Sequence, residues 1–193
     1  MKRRDLLTLA MACVTTGMPR RLAGRTNTPQ RPDEGGMMGD EHDFDFLYRN
    51  DWKVENRVLR GRLVGSEEWD SFEGTLEDVK PILNGLGNVD RFSAVRGGRE
   101  FHATSLRIFD PNEKIWRIYW ADTYSYKMTY QVEGPFVDGV GEMIGEEMFQ
   151  GKMIRLRFLW TEVDTETPNW EQAYFDEDAG EWETNWIMRF IPQ

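Results

Sequence analysis

Eight tryptophans are the most unusual chemical resource in this sequence of 193 residues: Trp52, Trp69, Trp116, Trp120, Trp160, Trp170, Trp182 and Trp186. Trp116 and Trp120 stand four apart, as do Trp182 and Trp186, so on a strand each pair points to one face. Faces of this kind, turned inward, line a lumen with flat, polarizable rings suited to an apolar or aromatic guest. The same rings also serve as plain core filling, because small barrels are often packed solid. The alternation selects Trp120, Trp160, Gln172, Tyr174 and Trp186 as pocket residues.

Polar side chains that would orient a guest among these rings are Asn88, Asp90, Arg157, Glu171, Gln172 and Asn185. Gln172 shares a face with Trp170 and Tyr174, whereas Glu171 and Asn185 oppose the aromatic face of their own strands and are expected in solvent. The adjacent carboxylates Glu67/Glu68, Glu146/Glu147 and Asp176/Glu177/Asp178 do not converge, since neighbours on a strand face opposite sides. Asp90 is the first suspect for acid–base work. The segment from Gly39 to Asp45 (GDEHDFD) carries ligand-type atoms but lacks calcium-loop spacing and any H-E-x-x-H pattern, so it reads as a polar lead-in and no metal site is assigned. Gly85-Leu86-Gly87 is followed by no Lys-Ser/Thr and is not a phosphate loop; no G-x-S-x-G elbow occurs. With one cysteine, Cys13, and two histidines, His42 and His102, neither a disulfide framework nor a multi-cysteine zinc site has material.

Strands must position these side chains. Trp52, Val54, Asn56 and Val58 alternate with Lys53, Glu55 and Arg57; Trp116, Ile118 and Trp120 with Arg117 and Tyr119; Ile154 to Trp160 with Arg155 and Arg157. The last run, Trp182 to Phe190, is read as one alternation with its even-numbered residues inward. Gly97-Gly98, Asp110-Pro111-Asn112-Glu113 and Asp138-Gly139 are turn signals between such runs. About ten strands at regular spacing, with no long helix between them, predict an all-β, antiparallel up-and-down β-barrel, because closure removes exposed edges. A two-sheet sandwich is the alternative.

Residues 1–24 have the layout of a twin-arginine export signal: Met1-Lys2-Arg3-Arg4-Asp5-Leu6-Leu7, then a short apolar run to Met18. A lipoprotein signal ending at Cys13, or a basic helix on a cytoplasmic protein, are the other readings. Residues 25–41 read as a flexible linker and 42–193 as the barrel domain. Export predicts a periplasmic or secreted protein. Removing residues 1–32, with seven basic side chains and one acidic, leaves 17 basic against 33 acidic, a net of −16. Such a body repels nucleic acid. No apolar run reaches the roughly 20 residues of a membrane-spanning helix.

The stretch Phe44-Asp45-Phe46-Leu47-Tyr48-Arg49-Asn50-Asp51-Trp52 resembles the entry to a calycin barrel, the group of lipocalins, fatty-acid-binding proteins and nitrobindins. Those barrels open with a short helical turn and a G-x-W motif whose Trp plugs one end. Here Asn50-Asp51-Trp52 keeps the Trp and replaces the Gly with Asn, which also tolerates positive φ. Further stretches, among them Gly65-Ser66-Glu67-Glu68-Trp69, Trp116-Arg117-Ile118-Tyr119-Trp120-Ala121-Asp122 and Trp182-Glu183-Thr184-Asn185-Trp186-Ile187-Met188, are similar to an uncharacterised bacterial family of this fold. The resemblance implies a calycin-like barrel. Nitrobindins hold haem through a late histidine, and residues 169–190 contain none, so no cofactor is expected. The expectation is an exported barrel, monomer or homodimer, that binds a small, partly apolar or aromatic ligand. The alternatives are an isomerase, lyase or hydrolase using carboxylates in the same lumen, and a solid-core interaction module.

Overall fold

A computed structural model describes residues 37–193. The segment expected to be an export signal, Cys13 and most of the expected linker lie outside the described residues. The described lead-in is paired with the barrel: Met38 forms a β-bridge with Val137, and the Gly39 N–H donates to the Phe136 carbonyl at 2.9 Å.

Eleven strands follow: β1 (Trp52–Leu59), β2 (Trp69–Ile82), β3 (Gly87–Arg96), β4 (Arg99–Asp110), β5 (Ile115–Asp122), β6 (Met128–Gly134), β7 (Phe136–Val137), β8 (Val140–Phe149), β9 (Lys152–Thr161), β10 (Asn169–Asp176) and β11 (Glu181–Pro192). From β1 to β6 and from β8 to β11, each strand pairs antiparallel with the next. β1 pairs with β11, and both β6 and β7 pair with β8, closing the sheet on itself. The pairs Val132↔Gly145, Glu133↔Ile144, Phe136↔Gly141 and Val137↔Val140 keep one register, so β6 and β7 are a single stave interrupted at Pro135. Proline has no N–H to give a ladder, which explains the interruption. The result is a closed, ten-stave antiparallel barrel, the all-β architecture expected from the alternation.

Local chemistry sets the meander. Three two-residue hairpin turns, Gly97-Gly98, Asp138-Gly139 and Gln150-Gly151, have positive φ at both positions, as the tight turns matched to strand twist require. Between β4 and β5 the Asp110 carboxylate accepts the backbone N–H groups of Asn112 and Glu113, fixing the turn the sequence marks. Gly141 is needed for packing: a Cβ there would lie 2.6 Å from the Phe136 ring.

One end of the barrel is plugged. Asp45–Tyr48 form a 3-10 turn whose flanking Phe44, with Phe46 and Leu47, is buried. The Trp52 indole N–H donates to the Leu47 carbonyl at 3.1 Å, so the tryptophan expected to close the base does so. Phe44 meets Trp116, Phe136 and Trp160 edge-on, with ring centroids 4.8, 5.1 and 5.4 Å away. The Trp116 N–H donates to Asp43 at 3.0 Å. Burying each large plug side chain contributes about 1.5–3 kcal/mol.

At the opposite end, β11 departs from simple alternation. Gln172 pairs with Trp186 but Ala173 pairs with Thr184, leaving Asn185 as an extra residue in a β-bulge. The bulge reverses parity along β11. Trp186, Met188 and Phe190 point inward. Trp182 pairs with Phe175 on the outer face, where its ring packs on Phe175 at 5.3 Å and lies under Arg155 and Arg157. The expectation that Trp182 and Trp186 share a face is therefore corrected. So is the expectation of a solvated Asn185: it is fully buried, accepting the Gln172 side-chain N–H at 2.8 Å.

Candidate functional site

The lumen holds a central cavity of about 60 Å³. That is room for roughly two waters and well below the roughly 150 Å³ that takes a benzene ring. Nine strand residues on alternating positions make most of its wall: Phe92 from β3, Ile118 and Trp120 from β5, Phe158 and Trp160 from β9, Trp170 from β10, and Trp186, Met188 and Phe190 from β11. The polar wall is Ser105 and Arg107 from β4 and Gln172 from β10.

Of the residues selected from sequence, Trp120, Trp160, Gln172 and Trp186 come together around this cavity. Trp186 meets Trp120 at 6.3 Å and Trp170 at 5.7 Å, both edge-on, and Trp160 lies 6.5 Å from Trp170. These spacings suit favourable aromatic geometry. Each ring is tethered differently. The Trp186 N–H donates to the buried Asn56 side chain at 3.0 Å, and the Trp120 N–H to Asp122 at 2.9 Å. The Trp160 N–H is buried without a partner. Trp120 is the half-buried member of the four; Trp160, Trp170 and Trp186 are buried.

Tyr174 does not line the cavity. It sits towards the open end, its hydroxyl donating to Glu147 at 2.9 Å and accepting from Arg62 at 2.8 Å. Burial pushes its pKa up; the nearby Arg62 opposes the shift and Glu147 adds to it. The Leu63 N–H donates to Glu183 at 2.7 Å. The loop between β1 and β2 is thus strapped to β10 and β11.

A buried charged group lies in the wall. Asp90 accepts the Ser105 backbone N–H at 2.8 Å through Oδ1. Its Oδ2 lies 2.7 Å from Arg107 Nη1; the Asp90 side chain is 0% exposed and that of Arg107 4%. Arg107 Nη1 also donates to Asn88 Oδ1 at 2.9 Å. The Arg107 guanidinium lies over the rings of Phe44 and Trp160, 5.1 and 5.8 Å from their centroids. With one oxygen on a backbone N–H and the other beside the guanidinium, the Asp90 carboxyl sits as the counter-charge of Arg107.

The remaining polar candidates are not in the cavity. Asn88 and Asp90 sit behind Arg107. Arg157 stacks on Trp182 and lies 3.5 Å from Glu142 on the outer face, which removes it from the ligand-orienting set. Glu171 is outside as expected, accepting from Thr184 at 3.2 Å. Arg107, Ser105 and Trp170 were missed as cavity residues. The signal was present for Arg107: it falls on the buried face of β4 with Phe101, Ala103, Ser105 and Phe109, and a cation on that face needs a partner. Among the described residues no group of three or more His, Cys, Asp or Glu is placed to hold a metal.

No model of a known protein family matches the chain, and no curated protein sequence matches it.

Proposed function

We propose that this protein binds a small, partly apolar or aromatic molecule in the barrel lumen. The observation that carries the reading is the central cavity, walled by Trp120, Trp160, Trp170 and Trp186 and broken by few polar groups. That combination is the usual make-up of a small-molecule site. Entry is from the end opposite the plug, where Trp120 is the least enclosed of the four rings. At about 60 Å³ the cavity admits a ring-sized guest only if a side chain yields, and the Trp120 ring is the one that gives way. Titration of a fragment set, followed through tryptophan fluorescence and repeated with Trp120→Ala and Trp186→Ala, tests this. Bound fragments whose affinity changes in both variants support it; unchanged affinity removes both rings from the site.

We further propose that the chain is exported to the periplasm or beyond through its N-terminal Arg3-Arg4 segment. Fractionation of cells producing wild type and an Arg3→Lys/Arg4→Lys variant checks it. Retention of the variant in the cytoplasm is the expected result, and equal export of both refutes it.

A further inference from the structure

Two cavity-lining side chains present N–H groups that the protein leaves unmatched. Trp160 Nε1 and Arg107 Nε are both buried without a hydrogen-bond partner. Both residues line the same cavity, and the Arg107 guanidinium lies over the Trp160 ring. Buried N–H groups in native proteins nearly always have partners, and two such orphans on side chains that line one cavity point to something they bind. What they can bind is an acceptor, since indole and guanidinium nitrogens only donate. The cavity wall carries no carboxylate to compete for them.

The charge of the acceptor follows from what stands behind Arg107. Asp90 lies 2.7 Å from Arg107 Nη1 and is itself completely buried, so the cation is already neutralised. An anionic guest would place a second, unbalanced negative charge in an apolar enclosure, at high desolvation cost. A neutral oxygen meets both N–H groups without that cost.

We propose that the lumen selects a ligand bearing a neutral oxygen acceptor, of the ketone, ester or amide carbonyl type, held between Trp160 Nε1–H and Arg107 Nε–H with its apolar body against Trp170 and Trp186. The proposal rests on the lumen-binding reading and names the chemistry of its guest. The guest's oxygen leaves neither donor unsatisfied.

The test compares three probes of similar size on the full chain: acetophenone, its isostere α-methylstyrene, in which the oxygen becomes a methylene, and benzoate. Binding is followed by the tryptophan indole N–H signals in nitrogen–proton NMR, with the Trp160 signal assigned through Trp160→Phe. Trp120→Ala is titrated in parallel, so that lack of space is separated from lack of recognition. The expected result is that acetophenone binds at least about tenfold more tightly than α-methylstyrene and shifts the Trp160 indole proton downfield. In Trp160→Phe the preference shrinks towards unity. Equal binding of acetophenone and α-methylstyrene overturns the proposal while leaving the lumen as a binding site. Preferred binding of benzoate overturns the choice of a neutral acceptor. Failure of every probe to bind both wild type and Trp120→Ala overturns the proposal together with the lumen-binding reading.

Discussion

Replacing Arg107 with leucine leaves Asp90 a bare carboxylate in the barrel wall. The Asp90 side chain is wholly inaccessible, so water cannot take over the role of the guanidinium. Loss of one partner of a buried ion pair costs about 3–5 kcal/mol. Asn88 Oδ1 also loses its donor, and Phe44 and Trp160 lose the cation above their rings. The combined loss should be near the top of that range. For a domain of this size it corresponds to a drop in melting temperature of roughly 10–20 °C, at about 2–4 °C per kcal/mol. Asp90→Leu should be comparably damaging, because it strands the cation and deprives the Ser105 N–H of its acceptor. The double variant Asp90→Leu/Arg107→Leu removes both charges and fills the space with apolar atoms, and should recover to within about 2 kcal/mol of wild type. Urea unfolding of the four proteins completes a double-mutant cycle. Single variants that each lose less than about 1 kcal/mol, or a double variant whose loss equals the sum of the singles, would refute the argument that these two charges exist for each other.

Three further predictions follow from the structure. Burial holds the Asp43 carboxyl above its ordinary range, against the pull of the Trp116 N–H it accepts. An acid raised on folding stabilises the fold below its ordinary pKa, and that contribution is lost as pH rises through the folded value. Asp43→Asn keeps an acceptor for Trp116, so its stability relative to wild type should improve between about pH 3 and pH 7, and a pH-independent difference in urea melts would contradict the assignment. Asn185→Ala strands the buried Gln172 side-chain N–H and should cost about 1–3 kcal/mol; a loss under about 0.5 kcal/mol would mean the bulge residue is not holding Gln172. Tyr174→Phe deletes the hydroxyl that links Arg62 to Glu147, and limited proteolysis should then cut the 60–68 loop faster, whereas unchanged cutting would show that the hydroxyl does not secure it.

The barrel was legible because strand alternation and turn chemistry are local signals. The even-numbered residues of β1, β5 and β9 point inward as their spacing indicates, and Gly97-Gly98 and Asp138-Gly139 turn the chain where expected. Trp120, Trp160, Gln172 and Trp186 were legible as lumen residues for the same reason. What was not legible came from register. The bulge at Asn185 exists only in the pairing of β11 with β10, and it moves Trp182 outward and Asn185 inward against their spacing. Tyr174 has the right parity but the wrong height: it meets Arg62 near the rim, well along β10 from Trp170. The Asp90–Arg107 pair joins two different strands, so the spacing within β4 places Arg107 on the inner face without showing its partner.

The bond between Trp186 and Asn56 joins residues 130 positions apart, on the two strands that close the ring. Joining them costs chain entropy early and rewards the chain only once most of the sheet is in place. A chain emerging from the ribosome holds β1 with one raw edge until the very last stave has been made. Until then the aromatic interior faces water along that edge, open to pairing with other chains. The molecule therefore behaves as a hoop fastened by a clasp, and without the clasp there is no smaller hoop to form. Slow, nearly all-or-none assembly follows, with its greatest exposure to aggregation just before the ends meet.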